Sequence, residues 1–114
     1  MKRLVVLVVS ASALILFAGS ASAQDAKIEK GKQVYTDQKC SMCHSIEGKG
    51  NAKGSLDGVG SKLSAAEIRQ WIVDPKTMTE KTKAERKPAM KAYPNLPAAD
   101  VDALVAYLES LKKK

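Results

Sequence analysis

The stretch Cys40-Ser41-Met42-Cys43-His44 holds both cysteines and the only histidine of a 114-residue chain. All the thiol and imidazole chemistry available to the protein is therefore confined to one short motif. Thiols two residues apart can form a redox pair, bind a metal, or bond covalently to a prosthetic group. The surrounding sequence has to decide between these.

The N-terminal end reads as an address. Lys2 and Arg3 precede an apolar run from Leu4 to Ala18, and the small residues Gly19-Ser20-Ala21-Ser22-Ala23 follow, with Ala21-Ser22-Ala23 matching a signal-peptidase pattern. The run is shorter than the ~20 residues of a spanning helix and is interrupted by Ser10 and Ser12, so residues 1–23 are expected to be a cleaved secretory signal rather than an anchor. No cysteine follows the run until Cys40, which argues against a lipid anchor. The expected mature chain is 24–114: one small domain in the periplasm, monomeric, with no membrane span left after cleavage. At that size a core built from side chains alone is marginal. A disulfide between Cys40 and Cys43 would close a loop too short to constrain the unfolded chain much, so something else has to complete the interior.

Charge is less informative. The formal charge is +7, and removing Lys2 and Arg3 leaves 17 basic against 12 acidic residues, or +5. That balance suits a solvated lysine-rich surface or steering toward an acidic partner. An exported chain with a single Phe and a single Trp is no candidate for nucleic-acid binding.

Three helices are legible. Over Ala26 to Asp37, Ile28, Gly31 and Tyr35 share a face. A glycine inside a helix costs about 1 kcal/mol, so Gly31 implies the close approach of another backbone. Ser64 and Glu67 form a capping box for a second helix ending at Asp74, before Pro75, with Ile68, Trp71 and Ile72 on one face. Ala98 to Lys112 carries Val101, Leu104, Val105, Leu108 and Leu111 on one stripe, and its terminal lysines suit the negative end of the helix dipole. Between the helices, the Gly48–Gly60 stretch is too glycine-rich for helix or strand, and residues 77–97 read as a long loop broken by Pro88, Pro94 and Pro97. No alternating β-branched run occurs, so the chain is expected to be all-α with two long loops that wrap around something.

Within that frame the motif can be assigned. A structural zinc site needs four ligands and the chain has three Cys or His in all, in one cluster. A thioredoxin-like pair belongs beside strands that are missing here. A structural disulfide leaves His44 and the loops without a purpose. In C-x-x-C-H, by contrast, each thiol adds across one vinyl group of haem to form a thioether, and the histidine is delivered to one axial face of the iron.

The sequence here resembles the small bacterial branch of the class I monohaem c-type cytochromes, over nearly all of the mature chain. "GKQVYTDQKCSMCHSIEGKG" (31–50) looks like the first helix and attachment segment, "GVGSKLSAAEIRQWIVDP" (58–75) is similar to the middle region, and "MKAYPNLPAADVDALVAYLESLK" (90–112) looks like the sixth-ligand loop and last helix. The resemblance implies a cytochrome c fold of three to four short helices around one covalently attached haem c. It implies that the first and last helices cross, with Gly31 and Tyr35 against Leu104 and Tyr107.

His44 is the only histidine, so the second axial ligand cannot be another from this chain. That leaves a methionine, a lysine, a weak ligand or an open position; among the methionines, Met1 leaves with the signal and Met42 lies inside the attachment loop on the His44 side, so Met78 and Met90 remain. The family's ligand loop, a Met followed by a Tyr-Pro-Asn-Leu run, points to Met90; Met78, among Thr77, Thr79 and Lys81, suits gap-filling. The expected site is thus Cys40, Cys43, His44 and Met90, with His44 and Met90 on the iron. Three positions depart from the family. Lys91 stands where Pro follows the ligand Met, which implies a more mobile loop and a more labile Fe–S bond. Ser55 replaces a Pro, though the carbonyl that accepts the His Nδ1–H can survive this. Pro97 replaces a Ser/Thr cap, which implies a later helix start with Pro in the first turn. Trp71 suits either a haem propionate or core, Tyr93 the haem edge, and Tyr35 and Tyr107 a helix interface. Lys49, Lys53, Lys87 and Lys91 together suit a docking ring.

The expected function is electron transfer rather than enzymatic catalysis: one haem cycling Fe(III)/Fe(II) between redox partner proteins, some with acidic docking surfaces. The alternative is a haem with a labile or open sixth site that binds a small ligand, as a sensor or a peroxidase-like protein.

Overall fold

A long helix, α1 (Ala18–Asp37), leads into a 3-10 turn over Cys40–Met42 and a two-stranded hairpin of β1 (Ser45–Ile46) and β2 (Lys49–Gly50). A second 3-10 turn (Ala52–Gly54) precedes four more helices: α2 (Val59–Lys62), α3 (Ala65–Val73), α4 (Pro75–Thr82) and α5 (Ala98–Ser110). This computed structural model describes residues 18–113. The expected leader lies outside the described residues except for 18–23, which open α1.

α1 starts earlier than its apolar face predicts, at Ala18, because the stretch 18–24 is rich in alanine and contains no proline. Its far end is set by Lys39, whose left-handed backbone (φ 56°) turns the chain directly into Cys40. α3 is delimited as the sequence indicates. Ser64 Oγ accepts from the Glu67 amide at 3.2 Å, and Glu67 Oε1 accepts from the Ser64 amide at 3.1 Å, closing the capping box.

The glycine-rich stretch is more ordered than its composition predicts. The hairpin pairs Ser45 with Gly50 and Ile46 with Lys49. Its two turn residues, Glu47 (φ 53°) and Gly48 (φ 79°), both have the positive φ of a type I′ turn. α2 adds a single helical turn. Nor is 77–97 wholly loop, because α4 occupies its start. Asp74, which ends α3, also accepts from the Thr77 amide, and Pro75 takes the first position of α4, where its missing N–H costs nothing. Among the described residues, five helices therefore surround the core, one more than the upper expected count within the expected all-α fold. Pro97 sits at the cap of α5, outside its first turn, and its carbonyl accepts from Asp100 and Val101.

The core joins Val34 and Tyr35 of α1, Ile46 of β1, Ile68 and Ile72 of α3, and Val101, Leu104, Val105 and Leu108 of α5. Its tightest contact is the crossing of α1 and α5. A Cβ at Gly31 would lie 2.2 Å from the Ala103 carbonyl oxygen and 2.6 Å from Tyr107 Cβ. The crossing thus falls on Ala103 and Tyr107, one residue from the expected Leu104. Tyr35 and Tyr107 pack edge to face beside it, with centroids 6.0 Å apart. Arg69 of α3 pairs with Asp102 of α5 on the rim of the same assembly.

Gly31→Ala sets two effects against each other. Alanine gains about 1 kcal/mol of helix propensity, whereas overpacking against backbone costs roughly 1–3 kcal/mol or more. The contact is with a carbonyl held in α5, which cannot swing aside as a side chain would, so the clash wins. The urea midpoint of Gly31→Ala is expected to fall; an unchanged or higher midpoint would show that the helices can separate at little cost.

Candidate functional site

The motif is held by its own backbone before any side chain is considered. The Cys40 carbonyl accepts from the amides of Cys43 (3.1 Å) and His44 (2.9 Å), which defines the 3-10 turn. Asn51 then clamps the turn from outside. Its amide donates to the carbonyls of both Ser41 (3.1 Å) and His44 (2.9 Å), and its Nδ2 donates to the Met42 carbonyl at 3.2 Å. The clamp needs Gly50 beside it, since a Cβ there would lie 2.2 Å from the His44 oxygen and φ is +111°. The remaining carbonyl, that of Cys43, accepts from Arg86 Nη2 at 2.5 Å. Neither Asn51 nor Arg86 stands out in the sequence, since both act on backbone atoms and belong to no local pattern.

His44 is oriented by one bond. Its Nδ1 lies 2.9 Å from the Gly54 carbonyl oxygen, and because a carbonyl can only accept, Nδ1 carries the proton and Nε2 the lone pair. The acceptor survives with Ser55 in place of Pro. Burial pushes the imidazole below its ordinary pKa, the Gly54 bond opposes this, and the Arg86 charge adds a smaller downward push. At neutral pH the ring is therefore a neutral donor ligand.

Cys40, Cys43 and His44 line a cavity of about 670 Å³, a size typical of sites that enclose a small organic group. Its other walls are mostly apolar: Tyr35, Leu104 and Leu108 from the crossing helices, Ile68, Trp71 and Ile72 from α3, and Leu56, Val59 and Leu63 from the middle loop. The segment between α4 and α5 contributes Arg86, Pro88, Met90, Lys91 and Tyr93. Met90 thus reaches the cavity. Met78 does not; it is 6 % exposed on the inner face of α4 and serves as core. Met42 stands at the rim, 70 % exposed. Trp71 and Tyr93 line the cavity, whereas Tyr107 packs at the helix crossing. Lys49, Lys53, Lys87 and Lys91 are all exposed, and the Lys91 ammonium lies 5.2 Å from the Tyr93 ring centroid.

Cys40 and Cys43 are not joined to each other in a disulfide, and burial pushes the Cys40 thiol above its ordinary pKa. Two thiols, an imidazole with its lone pair on Nε2 and a thioether in a mostly apolar enclosure suit a flat, largely apolar metal macrocycle. Tyr35 adds a buried hydroxyl with no partner among the described residues, beside the same cavity. Such an orphan is costly in a purely apolar interior and is relieved by a polar edge on the occupant.

The sequence model of the cytochrome c family matches residues 28–112. The chain belongs to the cytochrome c family. Its cofactor is covalently attached haem c, and Cys40, Cys43 and His44 fit the C-x-x-C-H motif. The cytochrome is accordingly a haem-binding electron-transfer protein. Among characterised proteins, it is 32% identical over 92 residues to cytochrome c oxidase subunit 2 of Alkalihalophilus pseudofirmus. That alignment covers 73% of this cytochrome but 25% of the oxidase subunit, so the chain spans about a quarter of its relative. No solved structure matches it significantly. Among the described residues, no helix is long and apolar enough to cross a membrane.

Tyr35 generates a pH prediction. Burial raises its pKa from 10.0 to about 12, so between these values the folded chain keeps a proton that the unfolded chain loses. Stability is expected to be intact below about pH 10 and to fall as the pH rises toward about 12. Tyr35→Phe should flatten that decline in urea unfolding across the same range. An equally steep decline in the variant would assign it to other groups.

Proposed function

We propose that this is an exported, periplasmic electron carrier whose mature domain spans 24–114. Cys40 and Cys43 would hold the haem through thioethers, and His44 Nε2 and Met90 Sδ would ligate the iron. The observation that carries this reading is the presence of Met90, and not Met78, on the cavity that Cys40, Cys43 and His44 line. Haem c supplies a one-electron Fe(III)/Fe(II) couple, and a thioether ligand favours the reduced state. The chain's part is to fix the imidazole through Gly54, to exclude water with the walls of α1, α3 and α5, and to leave one edge open near the exposed Met42. With both axial positions filled by the protein, no substrate binds the iron, which makes the chain a carrier and not an enzyme.

The partners are redox proteins that dock transiently on that edge. The exposed Lys49, Lys53, Lys87 and Lys91 favour acidic surfaces, and charge at the rim governs association rate more than affinity. The likeness to an oxidase subunit supports a terminal oxidase as the acceptor.

Spectroscopy of two variants tests the ligand. The ferric protein is expected to be six-coordinate and low-spin, with a thioether-to-iron charge-transfer band. Met90→Ala should abolish the band. Met78→Ala should keep it while losing about 2–5 kcal/mol of stability, as for other buried methionines. A high-spin ferric spectrum at neutral pH would instead establish the open-site alternative.

A further inference from the structure

The segment that carries Met90 is tied down at few points. Behind it, Lys83 closes α4 in a left-handed conformation and the Ala84 amide bonds to the Thr79 carbonyl. Ahead of it, the Tyr93 amide bonds to the Ile72 carbonyl of α3 at 3.1 Å. Between these anchors, among the described residues, one hydrogen bond joins 85–92 to the rest of the chain: Arg86 Nη2 to the Cys43 carbonyl, at 2.5 Å. The guanidinium is seated as well as bonded. Gly54 offers a flat surface, where a Cβ would lie 2.1 Å from Arg86 Nη1. The same Gly54 supplies the carbonyl that orients His44.

We propose that Arg86 is a positioning residue that clasps the Met90 segment to the back of the haem-attachment motif. The inference rests on Met90 being the sixth ligand. Met90 lies between the Arg86 and Tyr93 anchors, so removing the first lengthens the untethered stretch back to Ala84. A longer tether spends more time with the thioether away from the iron, and an external ligand can enter during that time. Arg is suited to the task because a planar fork can stack on the Gly54 backbone while donating to a carbonyl. A lysine offers the charge and a single donor without the plane.

Imidazole binding to the ferric holoprotein tests the clasp. The form of imidazole that binds iron is uncharged, so in a titration at mildly alkaline pH losing the Arg86 charge has little direct effect on its entry. Arg86→Ala is expected to bind imidazole about tenfold more tightly than the parent, the effect of losing one charge-assisted hydrogen bond from the closed state. Its charge-transfer band should weaken, and Arg86→Lys should fall between the two. An Arg86→Ala affinity within about twofold of the parent, with the band intact, overturns the clasp and leaves Met90 as ligand. A band that is missing from the parent, or that survives Met90→Ala, overturns the ligand assignment and the clasp together. Urea unfolding of each holoprotein separates local opening from global loss, because the clasp predicts a fall in unfolding free energy no larger than the change in imidazole binding free energy, and a larger fall overturns it.

Discussion

The crossing of α1 and α5 at Gly31 is the contact on which the rest of the site depends. With no side chain at that point, the α1 backbone can lie against the Ala103 carbonyl. The two helices are thereby drawn together, and Tyr35, Leu104 and Leu108 become one continuous wall. A residue with a Cβ would push the helices apart and tilt that wall. The crossing also fixes the line along which α1 runs, and the left-handed turn at Lys39 ends the helix and sets the position of Cys40. The placement of the haem-attachment motif is therefore a consequence of helix packing some nine residues upstream, as the positions of Gly31 and Cys40 show.

Packing alone does not orient the motif. Its turn exposes a series of carbonyls that need donors, and all but one find them in the loop that follows: Asn51 serves three of them and the amide of Leu56 serves Ser45, while Cys43 takes Arg86. The hairpin and the second 3-10 turn supply that geometry. This explains why a glycine-rich stretch is folded so definitely. Glycines there permit close backbone approach, and the hydrogen bonds formed across it replace the side-chain packing that the stretch lacks. His44 benefits last, since Gly54 can present its carbonyl only once the loop is closed.

This hierarchy explains what the sequence reveals and what it hides. α3 and α5 are legible because each has an apolar stripe, and α3 also has a capping box. The lower half of α1 is legible for the same reason, and Gly31 stands out because a helix interior penalises it. Cys40, Cys43 and His44 are legible as a spacing. α4 is hidden because Met78 is its only large apolar residue, so periodicity is absent and the helix rests on Asp74, Pro75 and one buried side chain. The hairpin is hidden because two-residue strands carry no alternation to detect. Arg86 is hidden for a different reason: it meets Cys43, 43 positions away, through a backbone atom that any residue would supply. Nothing at either end of that contact marks the other.

The two sides of the site are consequently built to different standards. On the His44 side, the turn at 40–44, the hairpin and the loop at 51–56 bond to one another repeatedly, and opening one bond leaves the others closed. On the Met90 side, most residues of 83–92 are exposed, and the segment between the α4 cap and the Tyr93 amide has a single cross-chain bond. Local opening concentrates where buried contacts and protected hydrogen bonds are fewest. On the proposed His44/Met90 ligation, any exchange of ligand at the iron should therefore begin from the Met90 side, with His44 as the fixed point. Electron carriage and small-ligand binding then differ only in how often one segment opens. The same fold can serve either, depending on how firmly residues 84–93 are held.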